Sequence, residues 1–466
     1  MNIVFCSSEV VPFAKTGGLA DVCGTLPRAL EKLGQRVSVF LPLYKGIDFN
    51  KYGIRQLGNG IVSTTLGQNI QVYFVEHDGF FKRDGLYGDS RGDYPDNLER
   101  FQFFCKKVLE TLKLLNLETD IVHCHDWQTA LIPVYLRNLY KNDPFFKKAR
   151  SILTIHNMAF QGIFPKEKFP LLGLDQGLFS PGALEFYGKI NLLKGGIIFS
   201  DQVTTVSPNY AREIQTKEFG CGLEDILKAH KDGVVGILNG LDYDFWNPQA
   251  DSLLPATYGS ESVAGKTVNK TQLQRTCYLP ELPKTPILGF VGRLSHQKGI
   301  DLILETIPRF VALDIQLVIL GVGDQAYHHR LTEMAKRFKS KMAVLLEFNE
   351  ARAHLVYAGS DIFLMPSTYE PCGLSQMISL FYGTIPIVYK TGGLADTIQP
   401  YNQGGNGFVF SRYHADEFVR TIEEAVSLYH DEIRFGGIVR KAFETHFSWE
   451  DSARQYIGLY SKSRFE

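Results

Sequence analysis

The chain has 466 residues, 44% hydrophobic and 21% charged, an ordinary globular composition too long for one compact core. Lys plus Arg (49) nearly balances Asp plus Glu (50), so no field of one sign recruits nucleic acid or a membrane surface, and an anionic ligand must be held by local groups. The N-terminus shows no signal-peptide pattern, no apolar run approaches the ~20 residues of a membrane span, and the seven cysteines lack a framework spacing, so a cytoplasmic chain with reduced thiols is expected.

In chain order the first expected strand is NIVFC (2–6), which leads to the heptapeptide KTGGLAD at Lys15–Asp21. After it, Val22, Leu26, Leu30 and Leu33 share a helical face, and Pro27 is expected to kink or restart that helix. Further strands read VSVFL (37–41), VYFV (72–75), DIVHC (120–124), SILTI (151–155) and QVTTV (202–206), with helical patterns from Leu98 and from Gln128. HCHD at His123–Asp126 offers metal-ligand types, but alternation gives His123 and His125 one face without Cys124, and no metal site is assigned. LTIHNMAFQG places His156 and Asn157 directly after a strand; a hydrogen-bonded structural histidine is the competing reading.

A polar, turn-rich stretch from Asn239 marks a boundary near residues 240–250. It holds two look-alikes. GSESVAGKT (Gly259–Thr267) has five residues between its glycines where a P-loop needs four, and no strand precedes it. DYD (Asp242–Asp244) resembles a metal clamp but lies in a turn.

The strand pattern then restarts at 287–292, 315–320, 342–346, 361–365 and 385–389. After the first of these, Arg293 and Lys298 flank a turn that opens a helix, a pair suited to a diphosphate and to charge on a leaving group; a solvated basic turn is the bland alternative. After DIFLMP, Glu370 precedes a turn shaped by Pro371 and Gly373, and a helix is expected from Leu374. The amides of Gly373, Leu374 and Ser375 would face an anion or a sugar hydroxyl, and Glu370 would accept from hydroxyls or complement the helix dipole. Cys372 has no companion His and reads as a packing residue. KTGGLAD recurs at Lys390–Asp396 with different flanks, so a recent domain duplication is not supported. The last helix, around SWEDSARQYIGLY, has no strand after it and could pack on either domain.

Near-continuous apolar strands alternating with helices indicate parallel sheets covered on both faces. The fold class is α/β, with two Rossmann-like domains, residues 1–241 and 242–466, whose strand ends line a deep shared crevice.

The stretches KTGGLADV, HDWQTAL, TIHNMAFQG, NGLDYDFWNP, GRLSHQKGID, STYEPCGLSQM and the late KTGGLADT together resemble bacterial glycogen synthase and plant starch synthase over essentially the whole chain. The resemblance implies the GT-B arrangement and retaining transfer of glucose from ADP-glucose to the non-reducing end of an α-1,4-glucan, with no metal or cofactor. It assigns Arg293 and Lys298 to the diphosphate, His156 to the transferred glucose, and Glu370 with the amides of Cys372, Gly373 and Leu374 to glucose hydroxyls; Asn157, next to His156, is taken as a substrate-binding residue. Ser375 falls near the phosphates, Asn239 matches another glucose contact, Tyr94 the donor–acceptor region, and Phe348 the ring on the nucleobase. Lys15 and the amides near Gly18 are linked to the donor, whereas Lys390 reads as structural. The wider superfamily's second Glu is Ile378 here, as in glycogen synthases of this type.

A retaining glycosidase needs two carboxylates about 5 Å apart, and only Glu370 is nominated, so same-face displacement is the expected mechanism. The alternatives are UDP-glucose as donor, a sugar-nucleotide epimerase, and an inactive glucan-binding protein.

Overall fold

The computed structural model describes residues 1–465, with side chains described through Ser463. The chain forms two compact units: Met1–Gly240 completed by the helix Trp449–Phe465, and Leu241–Ser448.

The first unit is built on a nine-stranded sheet. Seven strands are parallel, in the order Val234–Gly236, Gln202–Thr205, Arg150–Ile155, Ile121–His125, Asn2–Cys6, Arg36–Pro42 and Ile70–Val75. Apart from the half-buried edge strand Val234–Gly236, their apolar runs are buried on both faces because helices cover both sides, as the sequence pattern expects. Two antiparallel strands, Ile61–Leu66 and Arg55–Gly58, extend one edge. They were not expected, since half of their residues face solvent and neither run is continuously apolar. A small antiparallel sheet of Ile163–Pro165, Lys189–Asn191 and Glu185–Phe186 is a second addition.

The helix after the first KTGGLAD runs unbroken from Gly18 to Lys32, with no restart at Pro27. Proline fits helical φ and removes one backbone bond, and burial of Val22, Leu26, Pro27 and Leu30 on one face offsets that loss. The pattern from Leu98 forms the helix Asn97–Leu114, but the one from Gln128 is helical only over Leu131–Arg137. The last helix closes on the first unit, where the Tyr460 hydroxyl lies 2.7 Å from His123 Nδ1.

The second unit has six parallel strands in the order Met342–Leu345, Gln316–Leu320, Ile287–Val291, Ile362–Met365, Ile385–Tyr389 and Phe408–Phe410. Counted along the chain this is 3-2-1-4-5-6, the Rossmann order, and the parallel part of the first sheet follows the same scheme. Each unit therefore has a switch point where the chain leaves neighbouring strands in opposite directions. In the first it lies between Asn2–Cys6 and Ile121–His125, and in the second between Ile287–Val291 and Ile362–Met365.

The two look-alike motifs have structural roles. Lys266 of GSESVAGKT is half-buried in the helix Ala264–Thr276, and its Nζ donates to the carbonyls of Ala358 and Tyr382 at 3.0 Å each and to Thr384 Oγ1 at 2.6 Å. Asp242 of DYD accepts from the Asp244 amide at 3.1 Å and caps its own turn.

Candidate functional site

In the second unit, the loops leaving the two switch-point strands are tied together. Thr368 N–H donates to the Gln297 carbonyl at 2.9 Å. Gly299 has φ +74°, and a Cβ there would lie 2.1 Å from the Pro366 carbonyl oxygen, so only glycine permits this approach. That closeness brings Lys298, at the end of the turn His296–Lys298, to Glu370: Nζ and Oε2 are 2.6 Å apart. Ser367 Oγ donates to the same oxygen at 3.0 Å. The Glu370 side chain is only 7% exposed, so the Lys298 cation and this hydroxyl replace most of its hydration. Arg293, in contrast, is exposed and makes no hydrogen bond or ion pair among the described residues.

Gly373 adopts φ +76°, and the following helix is Ser375–Phe381, one residue later than expected, with Leu374 at its cap. The amides of Gly373, Leu374 and Ser375 donate to no protein group among the described residues. Phe348 lies after the edge strand Met342–Leu345 and is 86% exposed.

The second KTGGLAD copy underpins this loop. Gly393 N–H donates to the Glu370 carbonyl at 2.9 Å, and a Cβ on Gly393 would fall 2.2 Å from the Cys372 carbonyl oxygen. Lys390 itself is exposed.

Both copies begin a helix, Gly392–Thr397 in the second unit and Gly18–Lys32 in the first, but the glycines of the first copy brace no neighbour. Gly17 is the cap and Gly18 the first residue of Gly18–Lys32; a Cβ on either would meet nothing within 4 Å. Lys15 is exposed and pairs with Asp21 at 2.7 Å. The loop is held from below by Glu9, whose carboxylate accepts from the Thr16 and Gly17 amides at 2.5 and 3.2 Å.

His156 follows the strand Arg150–Ile155, with Nε2 2.9 Å from His125 Nδ1. Its amide donates to Asp126 Oδ1 at 2.7 Å, and the Asn157 amide interacts with the same carboxyl. Asp126 has φ +56°, which turns the chain so that the carboxyl can cap the His156 loop. Asn157 Oδ1 accepts from the Ala159 amide at 3.0 Å. Tyr94 is half-buried: its hydroxyl accepts from the Gly85 amide at 3.2 Å, and the Arg83 and Arg100 guanidinium carbons lie 4.8 and 5.0 Å from its ring. Asn239 follows the outermost strand and is buried with its Oδ1 unpartnered.

Burial sets the charge states here. It pushes the His123 and His156 imidazoles down to about 3 and His125 well below its ordinary value, so all three are neutral at pH 7. The hydrogen bond between His125 and His156 also requires one ring nitrogen with a proton and one without. Burial raises Asp126 to about 7, against the amides that favour its ionised form.

As pH falls through about 6.5, the unfolded chain protonates three imidazoles that the folded chain keeps neutral. Asp126 opposes this, because the folded chain holds its proton up to about 7 and the unfolded chain only up to about 3.8. Stability is therefore expected to fall from pH 6.5 to 4 by ~3 kcal/mol per pH unit, about two net protons. Urea midpoints across that range measure it, and a flat profile would refute the neutral histidines.

Within the second unit the structure brings Arg293, Lys298, Glu370 and Cys372–Ser375 to one switch point, with Phe348 two strands away. Within the first it gathers Lys15, Gly18, His156 and Asn157 at the strand ends around the switch point, with Asn239 at the far edge. Sequence reasoning missed Glu9, Asp126, Tyr87 and Gly393. Asp126 carried a signal, an acid immediately after a strand inside HCHD; Glu9 and Gly393 stand out only through partners distant in the chain.

Comparison with known proteins places these geometries. Residues 2–229 match the family described as starch synthase catalytic domain, and residues 279–441 match glycosyl transferases group 1. The chain is 45% identical to a glycogen synthase of Koribacter versatilis, over 100% of this chain and 98% of the relative. It is 45% identical to a glycogen synthase of Geotalea uraniireducens, over 99% and 98%. A solved catalytic domain of starch synthase IV from Arabidopsis thaliana, bound to ADP and acarbose, superimposes with a TM-score of 0.92 at 36% identity, covering 100% of this chain and 99% of that one.

Proposed function

Because this chain belongs to the glycogen synthase family of glycosyltransferases, we propose that it moves glucose from ADP-glucose to the non-reducing end of an α-1,4-glucan with retention of configuration. The observation that carries the reading is the 2.6 Å Lys298–Glu370 pair beside the unpartnered Arg293, at the switch point of a Rossmann-ordered sheet. The solved relative that holds ADP supports the choice of nucleotide, and Phe348 offers an exposed ring for a base.

In this reading the donor diphosphate engages Arg293 and draws Lys298 away from Glu370, which turns to the glucose hydroxyls. The free amides of Gly373, Leu374 and Ser375 add hydrogen bonds to phosphate or sugar. Negative charge on the departing diphosphate is then met by two cations already in place. His156, assigned to the transferred glucose by the family resemblance, is kept neutral by burial and adds no charge to oppose the positive charge that develops on the sugar.

A covalent intermediate would need an uncommitted carboxylate. With donor bound, Glu370 is engaged by Ser367 and the glucose hydroxyls, Asp126 by the amides of His156 and Asn157, and Glu9 by loop donors. Same-face displacement through a short-lived oxocarbenium-like species fits these commitments. The cytoplasm is the proposed place of action, in keeping with seven free thiols.

The deciding assay compares kcat/KM for ADP-glucose and UDP-glucose on glycogen, with the product anomer read by NMR. ADP-glucose is expected to lead by at least about tenfold, with an α-linked product. Parity or reversal would overturn the donor assignment, and a β-linked product would overturn retention.

The repeated heptapeptide gives a further check. Lys15→Ala is expected to raise the donor KM about tenfold, and Lys390→Ala less than about twofold, because the exposed Lys15–Asp21 pair contributes little to folding. The opposite ranking in steady-state kinetics would reassign the two copies.

A further inference from the structure

We propose that Glu9 is a positioning residue that holds the Lys15 loop and the segment carrying Tyr94 in one arrangement. The proposal rests on the reading above of Lys15 and Tyr94 as substrate-binding residues.

Glu9 is 3% exposed in the loop after the strand Asn2–Cys6. Oε2 accepts from the amides of Thr16 and Gly17, on the Lys15 loop. Oε1 accepts from Thr16 Oγ1 at 2.6 Å and from the Tyr87 hydroxyl at 2.6 Å. Tyr87 belongs to a different stretch of chain. Its hydroxyl also accepts from Ser8 Oγ at 2.7 Å, and its carbonyl accepts from the Tyr94 amide and from Asn97 Nδ2, each at 2.9 Å. One carboxylate thus joins the loop that presents Lys15 and Gly18 to the backbone that presents Tyr94.

No Lys or Arg among the described residues pairs with Glu9, so its buried charge is held by amides and hydroxyls alone. Capping the helix Gly18–Lys32 would account for the two amides. It does not account for the Tyr87 hydroxyl, which reaches in from seventy-eight residues away and occupies the other oxygen. A shared anchor accounts for both. The geometry also separates hydrogen bonding from charge. In Glu9→Gln the carbonyl oxygen can keep the two amides, and the amide group can donate to the Thr16 and Tyr87 oxygens, because hydroxyls reverse roles.

The test uses the full chain with Glu9→Ala, Glu9→Gln and Tyr87→Phe, glucose transfer to glycogen, and hydrogen exchange of peptides covering residues 10–20 and 84–96. Glu9→Ala is expected to raise KM for both donor and glucan about tenfold or more, with faster exchange in both peptides. Glu9→Gln is expected to return both constants to within about threefold of wild type. Tyr87→Phe is expected to raise the glucan KM at least about threefold while the donor KM changes less than about twofold.

Unchanged constants in Glu9→Ala would overturn the proposal, as would a rise in the donor KM alone or a Glu9→Gln variant as impaired as Glu9→Ala. If Glu9→Ala does not fold, Tyr87→Phe decides, because it removes one hydroxyl, with its bonds to Glu9 and Ser8, and leaves the carboxylate on the Lys15 loop in place; an unchanged glucan KM refutes the shared anchor. A wild-type chain without transfer activity would sink the functional reading instead, and faster exchange of both peptides in Glu9→Ala would still support the anchor.

Discussion

Lys298→Ala is expected to lower kcat about a thousandfold at saturating donor, roughly 4 kcal/mol of lost transition-state stabilisation. Two effects combine. The ammonium that would meet charge on the departing diphosphate is removed. Glu370, 7% exposed, is left with Ser367 as its remaining side-chain partner, so an uncompensated carboxylate stands where the diphosphate must come. Lys298→Arg keeps the charge but offers a planar fork in place of a compact point donor, and is expected to recover only part of the rate. The double variant Lys298→Ala with Glu370→Gln separates the two effects. If most of the loss is the stranded carboxylate, the second substitution restores donor binding; if it is the missing cation, kcat stays low. Near-normal turnover of Lys298→Ala at saturating donor would remove Lys298 from the proposed mechanism.

Gly393→Ala is expected to be the most damaging single-methyl change in either heptapeptide. The new Cβ would lie 2.2 Å from the Cys372 carbonyl oxygen and 2.4 Å from its Cα, and backbone cannot swing aside as a side-chain tip can. Overpacking of this kind costs about 1–3 kcal/mol. The strain is delivered to the turn that carries Glu370, because Gly393 N–H is bonded to the Glu370 carbonyl. A displacement of about 1 Å in a reacting group costs on the order of a hundredfold in rate, and kcat/KM is expected to fall by that much. The first copy is the internal control. Gly18→Ala places its methyl in open space at the start of a helix and is expected to leave the unfolding midpoint unchanged or slightly raised. Equal midpoints for the two variants would refute the bracing role of the second copy.

What could be read in the sequence followed burial. Strands such as Asn2–Cys6 and Ile287–Val291 are apolar along their length because helices cover both faces, and their ends pointed to Arg293, Lys298, His156 and Glu370. Ile61–Leu66 was not legible because a strand near a sheet edge needs only part of its residues apolar. Glu9 was hidden for another reason. An acid in SSEVV carries no periodicity, and what gives it meaning is a tyrosine hydroxyl seventy-eight residues later. Asp126 was passed over as one letter of a metal look-alike, although its left-handed backbone is what aims it at the His156 amide. The two KTGGLAD copies set the limit of local reading. Identical letters leave Gly18 open and press Gly393 against a neighbouring backbone, and the difference lies entirely in what surrounds them.

The helix Trp449–Phe465 belongs to the unit that the chain begins, yet it is translated after all of Leu241–Ser448. At ~5–20 residues per second the nascent first unit waits tens of seconds for it. During that interval the helix Gly18–Lys32 lacks the segment that packs on it, and His123 lacks the hydroxyl of Tyr460, 337 residues downstream. Leu241–Ser448 has no such wait and is free to fold as soon as it leaves the ribosome. Order of synthesis and membership of a unit are therefore uncoupled: the first-made unit is closed by a late-made helix, and a chain cut just short of Tyr460 leaves the histidine cluster without its hydroxyl partner.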